Sequence, residues 1–158
     1  MKTASVQQIR AAIEELPPGK VLELCVKVIK FKKDSKELAS YLLFDAHDVA
    51  GYIENIKAET DEQFDELPHS TLYLTKKSLR KILRNLSKYA RHMNSEQAEV
   101  EIRLHFCNKL LESGIPLHKS PALEKMYQQE LKKIRVLIEG LHEDLRYDYN
   151  KQFEMLSS

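Results

Sequence analysis

The stretch LYLTKKSLRKILRNLSKYARHM, from Leu72 to Met93, admits few folds. Wound at about 100° per residue with Lys76 at zero, its cations Lys76, Lys77, Arg80, Lys81, Arg84, Lys88 and Arg91 fall between about 0° and 140°. Leu79, Ile82, Leu83, Leu86, Tyr89, Ala90 and Met93 occupy about 220° to 340°. A helix keeps these two sets apart, and its apolar face needs a core built by other elements.

Those elements read as helices too. Ser5 with Gln8 forms a capping box that opens a first helix, and Pro17 and Pro18 stop it. Pro18 suits the first turn of a second helix, with Val21, Leu22, Cys25, Val28 and Ile29 as its expected buried face. Asp34 and Glu37 suggest a further capping box ahead of Leu38, Tyr41 and Leu42, and the connector DAHD then leads into a helix that turns Val49, Tyr52, Ile53, Ile56 and Phe64 inward. Beyond the Leu72–Met93 stretch, Ser95 opens a helix ending near Gly114, and Ser120 with Pro121 opens the last. In that last segment Tyr127, Leu131, Ile134, Ile138, Leu141 and Leu145 step by four and three, a heptad-like seam. With four glycines, five prolines and no tryptophan, the sequence lacks the turn-rich grammar of sheets. The expectation is an all-α fold of about seven helices, a solenoid-like stack or an irregular bundle, in one domain over 1–158.

A net charge of +1 leaves any electrostatic role to local patches. Between Asp45 and Glu66 eight acids face one lysine, whereas Leu67 to Ser95 holds seven cations and no acid. The basic stripe is then either a solvated face partly neutralised by the acidic helix before it, or a surface for a phosphate backbone or an acidic protein. Nucleic-acid readers add aromatic residues or a glycine cradle to such a stripe; here Tyr89 lies on the apolar side and glycine is missing.

LHEDLRYDY, from Leu141 to Tyr149, gathers acids, a histidine and two tyrosines. The zinc-protease motif HExxH fails in it because Arg146 stands four residues after His142. A composite metal site would need His142 to be joined by His105, Cys107 or His118, and would make a metal-dependent hydrolase the third reading. Wound as one helix, the segment sends His142 and the aspartates to different flanks of the seam. Asp144 and Asp148, at i and i+4, repel unless a cation lies against them, so a structural latch is expected: these aspartates on Arg80 or Arg84, with Tyr147 and Tyr149 adding ring area. No phosphate loop, dinucleotide fingerprint or nucleophile elbow occurs, so no catalytic residue, cofactor or metal is assigned and enzyme activity is unsupported.

The start MKTASVQQIRAAIEEL lacks the apolar block of a secretion signal, and no apolar run approaches the roughly 20 residues of a membrane span. A cytoplasmic protein without membrane attachment is expected. Cys25 and Cys107, far apart in apolar patterns, are expected to be buried free thiols.

The segments KELASYLLFD, YLTKKSLRKILRNLSKY, EVEIRLHFCNKLL and LHEDLRYDY together resemble a family of small bacterial proteins that carry no assigned activity. That resemblance, from Pro17 to Tyr149, implies a compact, cytoplasmic, helical protein and transfers no catalytic residue. The functional expectation is a non-enzymatic scaffold or adaptor that uses its basic helix face on an acidic partner, with nucleic-acid binding as the alternative.

Overall fold

The computed structural model describes residues 1–157, whose regular elements are all helices, with no strand among them. Where the sequence suggests one domain over 1–158, packing groups the chain into two compact units, Met1–Phe44 and Asp45–Ser158.

The first unit holds α1 (Val6–Glu14), α2 (Pro18–Phe31) and α3 (Lys33–Ser40). Both halves of the Ser5–Gln8 capping box form, at 2.8 and 3.2 Å, and Pro18 occupies the first turn of α2. The expected Asp34–Glu37 box does not: α3 starts at Lys33, so Asp34 lies inside its first turn, where it favours the helix dipole instead of capping. The expected buried face of α2 is also corrected. None of its residues is buried, and Cys25 is an exposed thiol. After α3 the chain widens into a π-helical turn over Tyr41–Asp45, whose Tyr41 is buried.

The second unit holds α4 (Val49–Asp65), α5 (Leu72–Met93), α6 (Glu96–Glu112), a short 3-10 turn (Leu117–Lys119), α7 (Pro121–Glu139) and α8 (Glu143–Ser157). Caps explain the starts. Asp48, Thr71, Ser95 and Ser120 each accept a backbone N–H from the first turn of α4, α5, α6 and α7. At α4 this cap also explains Gly51, since a Cβ there would run into the Asp48 carboxylate. Asn94, in the left-handed region at φ 47°, ends α5, and Gly114 at φ 71° follows α6.

α6 packs on α4, α5, α7 and α8, and its apolar Val100, Ile102, Leu104, Phe106, Cys107 and Leu110 are all buried. Phe106 meets Phe64 of α4 with ring centroids 5.5 Å apart. A helix surrounded by four others belongs to a bundle; the solenoid-like order, in which each hairpin touches only its neighbours, is not displayed.

The eighth helix arises where the seam from Tyr127 to Leu145 is interrupted. α7 ends at Glu139, and the chain turns through Gly140, Leu141 and His142 before α8. Heptad spacing cannot register this break, because Leu141 and Leu145 keep the rhythm across it. Gly140 stands at it as the C-cap of α7.

Candidate functional site

The basic stripe lies along α5 as expected, and the fold divides it in two. Ser87 and Leu83, at about 20° and 340°, and Arg80, Arg84 and Arg91, at about 40° to 80°, line a groove between α5 and α7. Lys77, Lys81 and Lys88, at about 100° to 140°, lie outside that lining, and Lys76 rests its ammonium 5.7 Å from the Tyr73 ring. The groove therefore takes the arginines of the stripe and leaves the lysines. Guanidinium groups hold carboxylate or phosphate oxygens in pairs, which an ammonium cannot do.

The opposite wall comes from α7. Lys125, Gln129 and Lys133, at i, i+4 and i+8, face the arginines, with Ala122 and Met126 adding apolar surface near Leu83. The groove encloses ≈ 790 Å³ and sets five cations against one carboxylate, Glu130. These α7 residues escape a reading confined to α5. Their spacing is the signal in the sequence, but only the fold says which α5 face they meet.

Glu130 is already committed. It accepts from Arg103 Nη1 at 2.8 Å, and both side chains are almost fully enclosed, at 3% and 4% exposure. Arg103 also donates to Glu99 at 2.8 Å and to the Ser87 hydroxyl at 3.2 Å. Lys133 adds a longer contact to Glu130, at 3.4 Å. By contrast, Arg80, Arg84, Arg91 and Lys125 make no ion pair among the described residues. The acids of α4 turn elsewhere: Asp61 to His105 at 2.7 Å and Lys109 at 3.7 Å, Glu54 to Lys57 at 3.3 Å, and Glu59 accepts the Tyr89 hydroxyl at 2.7 Å.

The expected aspartate latch is not formed. Asp144 is 91% exposed and 3.4 Å from His142, and Asp148 is exposed. Neither aspartate touches Arg80 or Arg84. The break at Gly140 moves both acids onto a separate helix, away from the register that winding from α7 assigns them. Tyr147 is exposed too, with Lys151 over its ring at 4.6 Å. Tyr149 is the member that ties α8 to α6: its hydroxyl donates to Glu101 at 2.7 Å and accepts from Gln97 at 3.1 Å. Burial, reinforced by the Glu101 hydrogen bond, pushes this phenol up to about 12. Tyr127, from α7, donates to the Leu156 carbonyl at 2.8 Å and is likewise raised to about 12, first by burial.

The metal candidates are not brought together. His105 faces Asp61, His142 sits beside Asp144, and His118 is exposed on the 3-10 turn. Among the described residues no three histidines, cysteines or carboxylates are grouped to hold an ion. Cys107 is fully enclosed, and burial pushes its thiol up to about 12, which suppresses the reactive thiolate. No described helix is long and apolar enough to cross a membrane. No family model, curated protein or solved structure matches the chain.

Proposed function

We propose that the chain is a non-enzymatic interaction module whose basic α5 face receives an acidic protein segment. The observation that carries this reading is the set of open arginines: Arg80, Arg84 and Arg91 line one wall of a groove without internal carboxylate partners, opposite Lys125 and Lys133. Apolar Leu83, Ala122 and Met126 between the charged walls favour a helix that is acidic on its flanks and apolar along one edge. Arg80 to Arg91 spans about 16 Å of helix, which suits a partner of roughly three turns. A cytoplasmic location and kinship with the activity-free bacterial family resembled above belong to the same reading.

Nucleic-acid binding is the second reading, favoured by the exposed Lys77 and Lys81 outside the groove. A backbone tracking that outer face would release counterions, giving an affinity that falls steeply with salt. Fluorescence anisotropy with two probes separates the readings: an acidic amphipathic peptide of about three turns, and a single-stranded oligonucleotide of equal charge. The proposal expects the peptide to bind and the oligonucleotide to compete poorly. Tight, salt-sensitive oligonucleotide binding with no peptide binding overturns it.

A further inference from the structure

α4 carries a charged surface of the opposite sign. Wound at about 100° per residue with Ala58 at zero, Glu54, Glu62, Asp65 and Glu66 fall within an arc of about 120° around Ala58. The buried Ile53, Ile56, Thr60 and Phe64 occupy the far side, at about 160° to 240°. These acids therefore point away from the core. Glu62, Asp65 and Glu66 are exposed and make no ion pair among the described residues. They are also badly placed for their own helix: Asp65 is the last residue of α4, Glu66 caps it, and no basic residue stands in the last turn, so the negative end of the helix dipole meets negative side chains. Glu62 and Glu66, at i and i+4, repel each other, as do Arg80 and Arg84 on α5. Two uncompensated sets of opposite sign thus share the unit Asp45–Ser158, and no α4 residue lines the α5–α7 groove to cancel them.

We infer that the acidic face of α4 in one copy of the chain seats in the α5–α7 groove of another, a partner that rests on reading the groove as a receptor for acidic protein. The lengths agree: Glu54 to Glu66 spans about 18 Å of helix, and Arg80 to Arg91 about 16 Å. The charges agree as well. The acids of α4 meet Arg80, Arg84, Arg91, Lys125 and Lys133, while the carboxylate of the groove, Glu130, is already held by Arg103. Glu54 is shared with Lys57 at 3.3 Å, so the C-terminal half of α4 carries most of the free charge. Ala58, small and exposed in the middle of the acidic arc, lets the helix lie close over Leu83, Ala122 and Met126. A net charge of +1 for the whole chain leaves almost no overall repulsion between copies, so the local patches govern their approach. Guest and seat are different surfaces, which makes the contact heterologous, each copy offering one of each. A guest of about three turns falls short of the roughly 800 Å² per partner of a standard interface, so the association is weak and reversible.

Sedimentation velocity of the full chain from about 10 to about 300 µM, bracketing the Kd of a small contact, is the test. The wild-type sedimentation coefficient should rise with concentration at low salt and return to the monomer value at about 0.5 M NaCl, where exposed charges are screened. Arg84→Glu with Arg91→Glu spoils the groove, and Glu62→Lys with Asp65→Lys spoils the guest; each variant alone should stay monomeric with unchanged far-UV circular dichroism. Mixed in equal amounts they should associate again, because the first keeps an intact α4 and the second an intact groove. If either loses helicity, the neutral pairs Arg84→Gln with Arg91→Gln and Glu62→Gln with Asp65→Asn replace them, and their mixture should again exceed either variant alone. A wild type that stays monomeric at about 300 µM, a charge-reversed variant that associates alone, or a mixture no larger than its components overturns the inference. If the acidic amphipathic peptide still binds the wild type in that case, the groove reading stands without a second copy; if the peptide fails too, both fall.

Discussion

Replacing Glu130 by alanine removes the carboxylate that holds Arg103 beneath the groove. Arg103 is 4% exposed and gives Glu130 a 2.8 Å bond, so the substitution strands an enclosed guanidinium on Glu99 and Ser87 alone. Breaking a buried pair costs about 3–5 kcal/mol, and the two remaining partners place the expected loss near the lower end, about 3 kcal/mol. With a urea dependence of about 2 kcal/mol/M, the unfolding midpoint falls by roughly 1.5 M at unchanged slope. Far-UV circular dichroism across a urea titration reads this directly. Arg103→Met with Glu130→Leu removes both charges and should recover most of the loss, because the desolvation cost of the pair disappears with it. A Glu130→Ala variant within about 1 kcal/mol of wild type, or a double variant no better than the single one, refutes the description of this pair as a buried network that must be complete or absent.

Truncating Phe106 to alanine, at a fully enclosed position against Phe64, should cost about 3–5 kcal/mol in the same titration. Tyr149→Phe should cost about 1–3 kcal/mol by leaving Glu101 and Gln97 without their shared hydroxyl, whereas Asp148→Lys, on an exposed face, should stay within about 0.5 kcal/mol. Alkaline unfolding follows from the raised phenols. Tyr127 and Tyr149 sit near 12 in the fold and near 10 in the unfolded chain, so their contribution is fully present below about pH 10 and is lost as pH rises toward 12. Tyr149→Phe should shallow that decline, as read by melting temperature against pH.

Much of the fold is written locally. Ser5, Thr71, Ser95 and Ser120 bond the first turns of their helices, and Pro18 and Pro121 lie in the first turns of α2 and α7, so boundaries set by capping chemistry follow from neighbours in sequence. The break between α7 and α8 does not, because Leu141 and Leu145 keep the heptad rhythm across the turn. The candidate site divides in the same way. The α5 stripe is periodic and visible in the sequence, but the separation of Arg80, Arg84 and Arg91 from Lys77 and Lys81 depends on where α7 lies. The aspartate latch failed for that reason too: winding through an uninterrupted helix put Asp144 and Asp148 in a register that the turn at Gly140 abolishes. On α2, periodicity identified the apolar positions correctly, and only their exposure shows that the first unit leaves them uncovered.

The central claim, that arginines of the groove and not lysines of the outer face receive the partner, is tested most directly by two charge-reversal variants titrated with the same acidic amphipathic peptide. Arg84→Glu with Arg91→Glu should weaken binding by at least about tenfold, while Lys77→Glu with Lys81→Glu should change it by no more than about threefold, as distant charges do at moderate salt. The opposite order, with loss on the lysine pair and binding retained by the arginine pair, contradicts it.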